Sequence, residues 1–149
     1  MEDTIKQSID IAPLRCAGKK VDSVSYSGGT VSEDGGTVSE GTFSLTNSIV
    51  GQSDGDDGSV LKQLSMTLKI EPQDDDDGYY RMDLSVSGLY SAKGVTDENL
   101  LNALVLSVGA EDLYAYARKI AEVLASGGVR GDLALPLLTF RLGGENLVS

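Results

Sequence analysis

The clearest alternation of apolar and polar residues in this chain falls at residues 79–90, YYRMDLSVSGLY. Successive side chains of an extended chain point to opposite faces, so this pattern is typical of a strand with one buried face. Residues 60–71 alternate in the same way, and the acidic run PQDDDDG separates the two stretches. Together they predict an antiparallel hairpin with an acidic tip. The apolar face of its second strand consists of Tyr80, Met82, Leu84, Val86 and Tyr90.

Two further extended elements are predicted nearer the N-terminus. Residues 42–50 alternate except at Asn47, which indicates a strand. Residues 8–26 also suit an extended element, but Pro13 and Gly18 interrupt it. Proline lacks the N–H that a strand ladder uses, and glycine often marks a bulge. We therefore expect an edge strand or a bulged strand here.

A glycine- and serine-rich stretch at about residues 27–41 contains the hexapeptide GGTVSE twice. Two copies are too few for a repeat architecture, so we expect a flexible loop or hairpin. The whole chain has 149 residues, a length typical of one domain. We therefore predict a single domain spanning residues 1–149.

The apolar spacing changes to a helical period after the last predicted strand. A main helix is expected from Ala110 to Ser126, followed by two glycines that suit a helix end. A shorter helix is expected from Asp97 to about Ser107, with Thr96 as its N-cap. Gly109 is expected to separate the two helices. The predicted core stripe of the main helix is Leu113, Ala117, Ile120 and Leu124.

The remaining apolar stretch, at about residues 129–142, contains Pro136. Proline disfavours both a helix interior and a central strand. We therefore expect an extended segment that lies on the surface of the core.

The net charge and the composition of the N-terminal residues limit the expected partners of the chain and its expected location in the cell. Twelve basic residues stand against 23 acidic ones, for a formal net charge of -11, which repels a phosphate backbone. We expect no nucleic-acid partner. The polar start MEDTIKQSID lacks the pattern of a secretory signal, and no apolar run approaches a membrane span of about 20 residues. A protein of the cytoplasm is the expectation, which the single Cys16 also fits, because it has no partner for an internal disulfide.

Neither the acidic loops nor any other motif predicts an enzyme or a cofactor. The chain has no histidine, so a triad hydrolase would lack its usual base and a zinc site its commonest nitrogen ligand. The glycine motifs match neither a P-loop nor a dinucleotide fingerprint. The acidic runs at 54–57 and 74–77 lack the spacing of a calcium loop, and charged loop tips are a common means of keeping a sheet edge in solution. A weak cation site there remains the alternative.

Three places in the sequence resemble the SecB protein-export chaperones and their SecB-like relatives. Residues 87–94, SGLYSAKG, are similar to the family's glycine, aliphatic, aromatic and glycine pattern before the helices. Residues 113–118, LYAYAR, resemble its Leu-aromatic-Pro-Tyr-Ala-Arg signature at the start of the main helix. Residues 126–128 and 135–140, SGG and LPLLTF, resemble its turn and its Leu-Pro-Pro-x-Asn-Phe segment. The order of predicted elements agrees from about residue 42 to 140.

The chain also departs from the family pattern. Ala115 stands at a usual proline, and Thr139 at a frequent asparagine. Only residues 141–149 follow Phe140, so we expect the family's second C-terminal helix to be short or missing. These departures identify the chain as a divergent SecB-like protein.

The resemblance implies an α+β fold, with a four-stranded antiparallel sheet and a short and a long helix packed on one face. It also implies a homo-oligomer, either a dimer or a tetramer. Residues of the main helix outside its core stripe give a physical reason for association, because one sheet face does not easily cover them. The residues expected at that interface are Tyr114, Tyr116 and Val123.

The function implied is that of an ATP-independent holdase, which binds unfolded or unassembled polypeptides such as preproteins on apolar grooves. Its expected groove residues, each with core or subunit interface as the alternative, are Tyr79, Leu89, Tyr90, Val129, Leu133, Leu135, Leu137, Leu138 and Phe140. A narrower version is a dedicated antitoxin chaperone of a toxin–antitoxin system. The alternative from another class is a phage or defence protein that binds one folded partner.

Overall fold

A computed structural model describes residues 14–27, 41–55, 58–72, 81–95 and 97–125, together with Leu135, Leu138 and Phe140. The loop predicted at about residues 27–41 is described only at its ends, where Ser27 belongs to a strand and Gly41 begins the next one. The acidic run 74–77 lies outside the described residues, as does the second half of the run 54–57. The candidate groove residues outside the described part of the chain are Tyr79, Val129, Leu133 and Leu137. Four strands form one antiparallel sheet in the order β1-β4-β3-β2. The strands are β1 (Leu14–Ser27), β2 (Gly41–Asp54), β3 (Val60–Pro72) and β4 (Arg81–Ala92).

The predicted hairpin forms the two central strands. Met66 pairs with Val86, and Leu68 with Leu84, so the apolar positions of β3 and β4 share one face. That face is the centre of the core, whereas residues such as Thr67 and Ser85, whose hydroxyl oxygens are 3.0 Å apart, lie on the other face. The alternation in the sequence therefore identified the buried face correctly.

Strand β1 is both an edge strand and a bulged one. It pairs with β4 alone in the described sheet, and its register shifts between Cys16 and Gly18 and again between Val21 and Ser23. Each shift changes which residues face the core, which is why a simple alternation was hard to find in this stretch.

The helical region is continuous, which corrects the prediction of two helices separated at Gly109. Helix α1 (Glu98–Leu104) leads into a π-helical segment (Val105–Gly109), and this leads directly into α2 (Ala110–Ala125). Gly109 is buried against the sheet, where an added Cβ would lie 3.3 Å from Leu14 Cδ2. Glycine is thus used here for close helix–sheet contact and not for a break.

The start of α1 also differs by one residue from the prediction. Asp97, and not Thr96, is the N-cap, and its Oδ1 accepts a hydrogen bond of 2.9 Å from the Asn99 N–H. This carboxylate satisfies one of the helix N–H groups that have no partner within the helix.

Helix α2 buries a stripe rotated from the predicted one. Leu113 and Ala117 are buried as expected, but Ile120 and Leu124 are only partly buried. The other buried residues of α2 are Ala110, Tyr114, Ala121 and Ala125. Small alanine side chains let the helix lie close to the sheet. The α+β fold class, with a four-stranded antiparallel sheet and the helices packed on its apolar face, is confirmed.

Candidate functional site

The helix-facing side of the sheet carries apolar residues beyond the area that α2 covers. Helix α2 contacts mainly the central strands β4 and β3. Val24 pairs with the buried Leu84 and so shares its face, yet Val24 is 50% exposed and Val21 39% exposed. At the other edge of the sheet, the residues that pack only partly against the core are Phe43, Leu45 and Ile49. An apolar strip therefore extends beyond the central strands at each edge.

One side of α2, here called the β1 flank, is tied to β1. Asp112 Oδ2 accepts hydrogen bonds from Lys19 Nζ at 2.7 Å and from the Tyr90 hydroxyl at 2.9 Å. Lys19 Nζ also lies 5.9 Å from the centre of the Tyr116 ring, within the range of a cation–π contact. One carboxylate thus joins the edge strand, a central strand and the helix.

These contacts also fix the protonation of the groups involved. The hydrogen bond to Asp112 raises the pKa of Lys19. Burial, together with the hydrogen bond to Asp112, raises the pKa of Tyr90. Both groups hold their protons more tightly than in water, which suits a structural tie and not proton transfer near neutral pH.

The opposite side of α2, here called the far flank, carries Glu111, Tyr114 and Glu122. Successive residues of an α-helix are turned by about 100°, so Glu111 and Glu122 share one side, away from Asp112 and Tyr116. Glu122 Oε2 accepts a hydrogen bond of 3.2 Å from the backbone N–H of Leu135.

Two further residues of the C-terminal region make contacts here: Phe140 contacts the far flank, and Leu138 packs against the core. Glu111 Oε1 accepts a hydrogen bond of 3.2 Å from the N–H of Phe140. The Phe140 ring lies edge-on to Tyr114 at 6.0 Å between centroids. Leu135, Leu138 and Phe140 are partly buried against the core. Leu135 and Phe140 therefore occupy the far flank, and Leu138 packs against the core.

Two of the predicted groove residues, Leu89 and Tyr90, lie on opposite faces of β4. Tyr90 is 1% exposed and belongs to the core. Leu89 pairs with Gln63, on the face away from the helices, and is partly exposed. Within one chain the two side chains do not line the same groove, and in this structure Tyr90 is not accessible to a client. The sequence already predicts this separation of Leu89 and Tyr90, because adjacent residues of a strand point to opposite faces of the sheet.

The predicted interface residues also occupy different environments. Val123 is 64% exposed, and Tyr116 is partly buried on the β1 flank. Tyr114 is 3% exposed within the chain, where Phe140 helps to cover it. A role of these residues between subunits stays a prediction, and Val123 is the most accessible of the three.

The sequence prediction missed a polar cluster around Lys62. This lysine follows the core-facing alternation of β3, and its Nζ donates to Gln52 Oε1 and, at 2.9 Å, to Glu98 Oε1. An open cavity of about 430 Å³ adjoins it, lined in part by the turn after β4. The sequence did carry a signal for this cluster, because Lys62 stands at a position of β3 that faces the core. A buried charged side chain is usually paired, so partners for Lys62 could have been predicted.

Within the described ranges there is no group of three or more histidine, cysteine, aspartate or glutamate residues able to hold a metal ion. Of the helices between residues 97 and 125, none is long and apolar enough to cross a membrane.

Similarity to known proteins is limited to the level of structure. No protein-family model matches the chain, and no curated protein matches it. Among solved structures, it is similar to the SecB-like chaperone Rv1957 of Mycobacterium tuberculosis, determined in complex with a ChAD peptide from the HigA1 antitoxin. The match has 18% identity, a TM-score of 0.49, and coverage of 88% of this chain and 91% of the other. A protein of unknown function from Streptococcus agalactiae matches with 12% identity, a TM-score of 0.46, and coverage of 87% and 97%.

Proposed function

We propose that this protein is an ATP-independent holdase of the SecB-like type, which binds unfolded or unassembled polypeptides on the apolar surface beside α2. The observation that carries the proposal is that α2 and the core hold Leu135, Leu138 and Phe140 through apolar contacts, and that Leu135 and Phe140 also donate backbone hydrogen bonds to the far flank. Contacts of this kind are available to many sequences, as a holdase requires. The order of SecB-like motifs in the sequence supports the same function.

The open apolar strip on β1 is a second surface for the same activity. Val21 and Val24 lie beside the β1 flank and are exposed in the single chain. Apolar side chains at an exposed sheet edge favour contact with an apolar segment of another chain. We expect this strip to contribute either to client binding or to association of subunits into a dimer or tetramer.

A narrower form of the proposal is a chaperone dedicated to one antitoxin in the cytoplasm. The departures from the family's motifs, such as Ala115 and Thr139, support a specialised client. Genes for a toxin–antitoxin pair beside the gene of this protein would support this form, and a neighbouring export operon would contradict it.

The test of the general proposal is suppression of aggregation. An unfolded test client is diluted from denaturant into buffer without ATP, with and without the protein at an equimolar protomer concentration, and light scattering is followed. A holdase slows the increase in scattering. If the protein slows aggregation of none of several clients, and instead captures one folded partner at fixed stoichiometry, the chain is a non-chaperone interaction module.

A matched pair of variants locates the activity. Val21→Ser with Val24→Ser removes apolar surface from the strip on β1, and we expect weaker suppression of aggregation. Val50→Ser is the control, because Val50 is also an exposed valine but lies on β2, at the opposite edge of the sheet. Equal activity of the two variants would exclude the β1 strip from client binding.

A further inference from the structure

The contacts on the far flank depend little on which sequence makes them. Two of the three are made by backbone N–H groups, those of Leu135 and Phe140, to carboxylates of α2. Every residue except proline has such a group. The third is an aromatic ring against Tyr114. Another chain with an apolar residue and a free N–H at these places would make the same contacts.

The anchor points define the length and the direction of what fits. Glu111 and Glu122 are eleven residues apart on one side of α2, which corresponds to about 16 Å along the helix axis. Leu135 and Phe140 are five residues apart, and a peptide of that length reaches at most about 18 Å, which is enough to join the two glutamates. Leu135 meets the later glutamate and Phe140 the earlier one, so this occupant is antiparallel to α2.

We propose that Leu135, Leu138 and Phe140 act as an internal substitute for a client on the far flank, and that a client displaces them. This inference rests on the proposed holdase function and names its ligand. The ligand is an extended segment of an unfolded polypeptide with apolar residues at positions i, i+3 and i+5 and free backbone N–H groups at i and i+5. It binds antiparallel to α2.

The partial burial of Leu135, Leu138 and Phe140 supports the idea that a client can displace them. Their side chains pack against the core but remain partly exposed, and the hydrogen bond from Phe140 is exposed to solvent. Residues that occupy the site compete with an added ligand, and the apparent Kd of the ligand equals its intrinsic Kd divided by the fraction of time that the site is free. Weakening the internal segment should therefore tighten binding of an added peptide.

The first experiment uses the wild-type chain and a peptide copy of residues 133–142, LALPLLTFRL, with blocked ends. Amide hydrogen exchange at Leu135 and Phe140 is measured by NMR as peptide is added. Displacement removes the carboxylate acceptors from both amides, so their exchange should become faster at saturation. A control peptide with serine at the positions of residues 135, 138 and 140 should have no such effect. Unchanged exchange at saturating peptide would overturn the proposal.

The second experiment weakens the internal segment. In the variant Leu135→Ser, Leu138→Ser, Phe140→Ser, a fluorescent form of the same peptide should bind about tenfold more tightly or better, as expected if the internal segment occupies the site at least about 90% of the time. Leu100→Ser is the matched control, because Leu100 is an exposed leucine on α1. Equal affinity of the triple variant and the wild type would contradict displacement.

The third experiment places the peptide on the far flank. Adding Glu111→Ala and Glu122→Ala to the triple variant removes both acceptors, so peptide affinity should fall back by about fivefold or more, given the usual contribution of two hydrogen bonds. Unchanged affinity would show that the peptide binds elsewhere. If the triple variant does not fold, the exchange experiment on the wild-type chain still decides the question.

The outcomes separate this inference from the proposed function. Suppression of aggregation without peptide displacement would keep the holdase and reject the internal substitute. Peptide displacement without suppression of aggregation would keep the far flank as a peptide site and reject the holdase.

Discussion

Gly88 is where the close packing around Tyr90 is most sensitive to one added atom. The two residues share a face of β4, and a Cβ at Gly88 would lie 2.7 Å from Tyr90 Cε2. Gly88→Ala should lower the free energy of unfolding by about 1–3 kcal/mol, because the tyrosine must shift within a filled core. Urea unfolding measures this change. Gly18→Ala is the control, since nothing lies within 4 Å of a Cβ there, and equal losses in both variants would contradict the steric explanation.

The Tyr90 hydroxyl makes stability depend on pH in the alkaline range. Burial raises the pKa of Tyr90 above its ordinary value of 10.0, and the hydrogen bond to Asp112 raises that of Lys19 above 10.5. Both groups bind their protons more tightly in the folded state than in the unfolded one. Their contribution to stability is therefore complete below about pH 10 and is lost as the pH rises further.

Tyr90→Phe tests this explanation. At pH 8 the variant should lose about 0.5–1.5 kcal/mol, the usual net contribution of one hydrogen bond. Between pH 9 and 11 its urea midpoint should fall less than that of the wild type, because the variant has no Tyr90 hydroxyl that stays protonated in the folded state and ionises on unfolding. Tyr116→Phe serves as the control, since it removes a hydroxyl from α2 without touching the Tyr90–Asp112 hydrogen bond. Parallel pH curves for Tyr90→Phe and wild type would refute the assignment.

At the scale of elements, Lys62 links β3 to β2 and to the first turn of α1. Its side chain is 5% exposed, whereas that of its partner Glu98 is 69% exposed. Replacing a buried charge by an apolar side chain of similar shape is often neutral or stabilising, whereas removing only its partner is costly. Lys62→Met should therefore change the free energy of unfolding by less than about 1 kcal/mol, and Glu98→Ala should lower it by about 1–3 kcal/mol.

The double variant completes a thermodynamic cycle. Once Lys62→Met has removed the ammonium group, Glu98→Ala should have almost no further effect on the urea midpoint. A loss in the double variant as large as in Glu98→Ala alone would mean that Glu98 acts through helix α1 and not through Lys62.

The strands were easier to predict than the joints between elements. Alternation in β3 and β4 reports burial on one face, and this property is local to each strand. Gly109 was misassigned as a helix break because its actual neighbours, Leu14 and Tyr90, are distant in sequence. Thr96 and Asp97 are both good N-caps, and backbone geometry decides between them. Local patterns thus predict elements, whereas contacts between distant residues decide how the elements join.

At the scale of the whole molecule, the candidate groove was only partly predictable for the same reason. The apolar character of Leu135, Leu138 and Phe140 was visible in the sequence, but not that they would occupy the surface beside α2. The acceptors Glu111 and Glu122 carried no signal either, since acidic residues on a helix are usually solvated. A groove and its occupant have the same apolar composition, so sequence alone does not distinguish them.

Assembly is the remaining property of the whole molecule that the structure makes testable. Val123 is the most exposed large apolar residue described on α2, so an interface that the resemblance implies and that this helix forms would bury it. We expect the native mass to be that of a dimer or tetramer. Val123→Asp should reduce it, because a carboxylate buried at such an interface is strongly unfavourable.

Light scattering after size exclusion measures the mass. Leu100→Asp introduces the same charge at an exposed residue of α1 and separates an effect of position from an effect of added acid on a chain of net charge -11. If Val123→Asp alone dissociates the assembly, α2 forms the interface. If only Leu100→Asp does so, α1 forms it instead. A monomeric wild type would exclude a client surface that continues from one subunit to the next, and would leave the far flank of each chain as a separate peptide site.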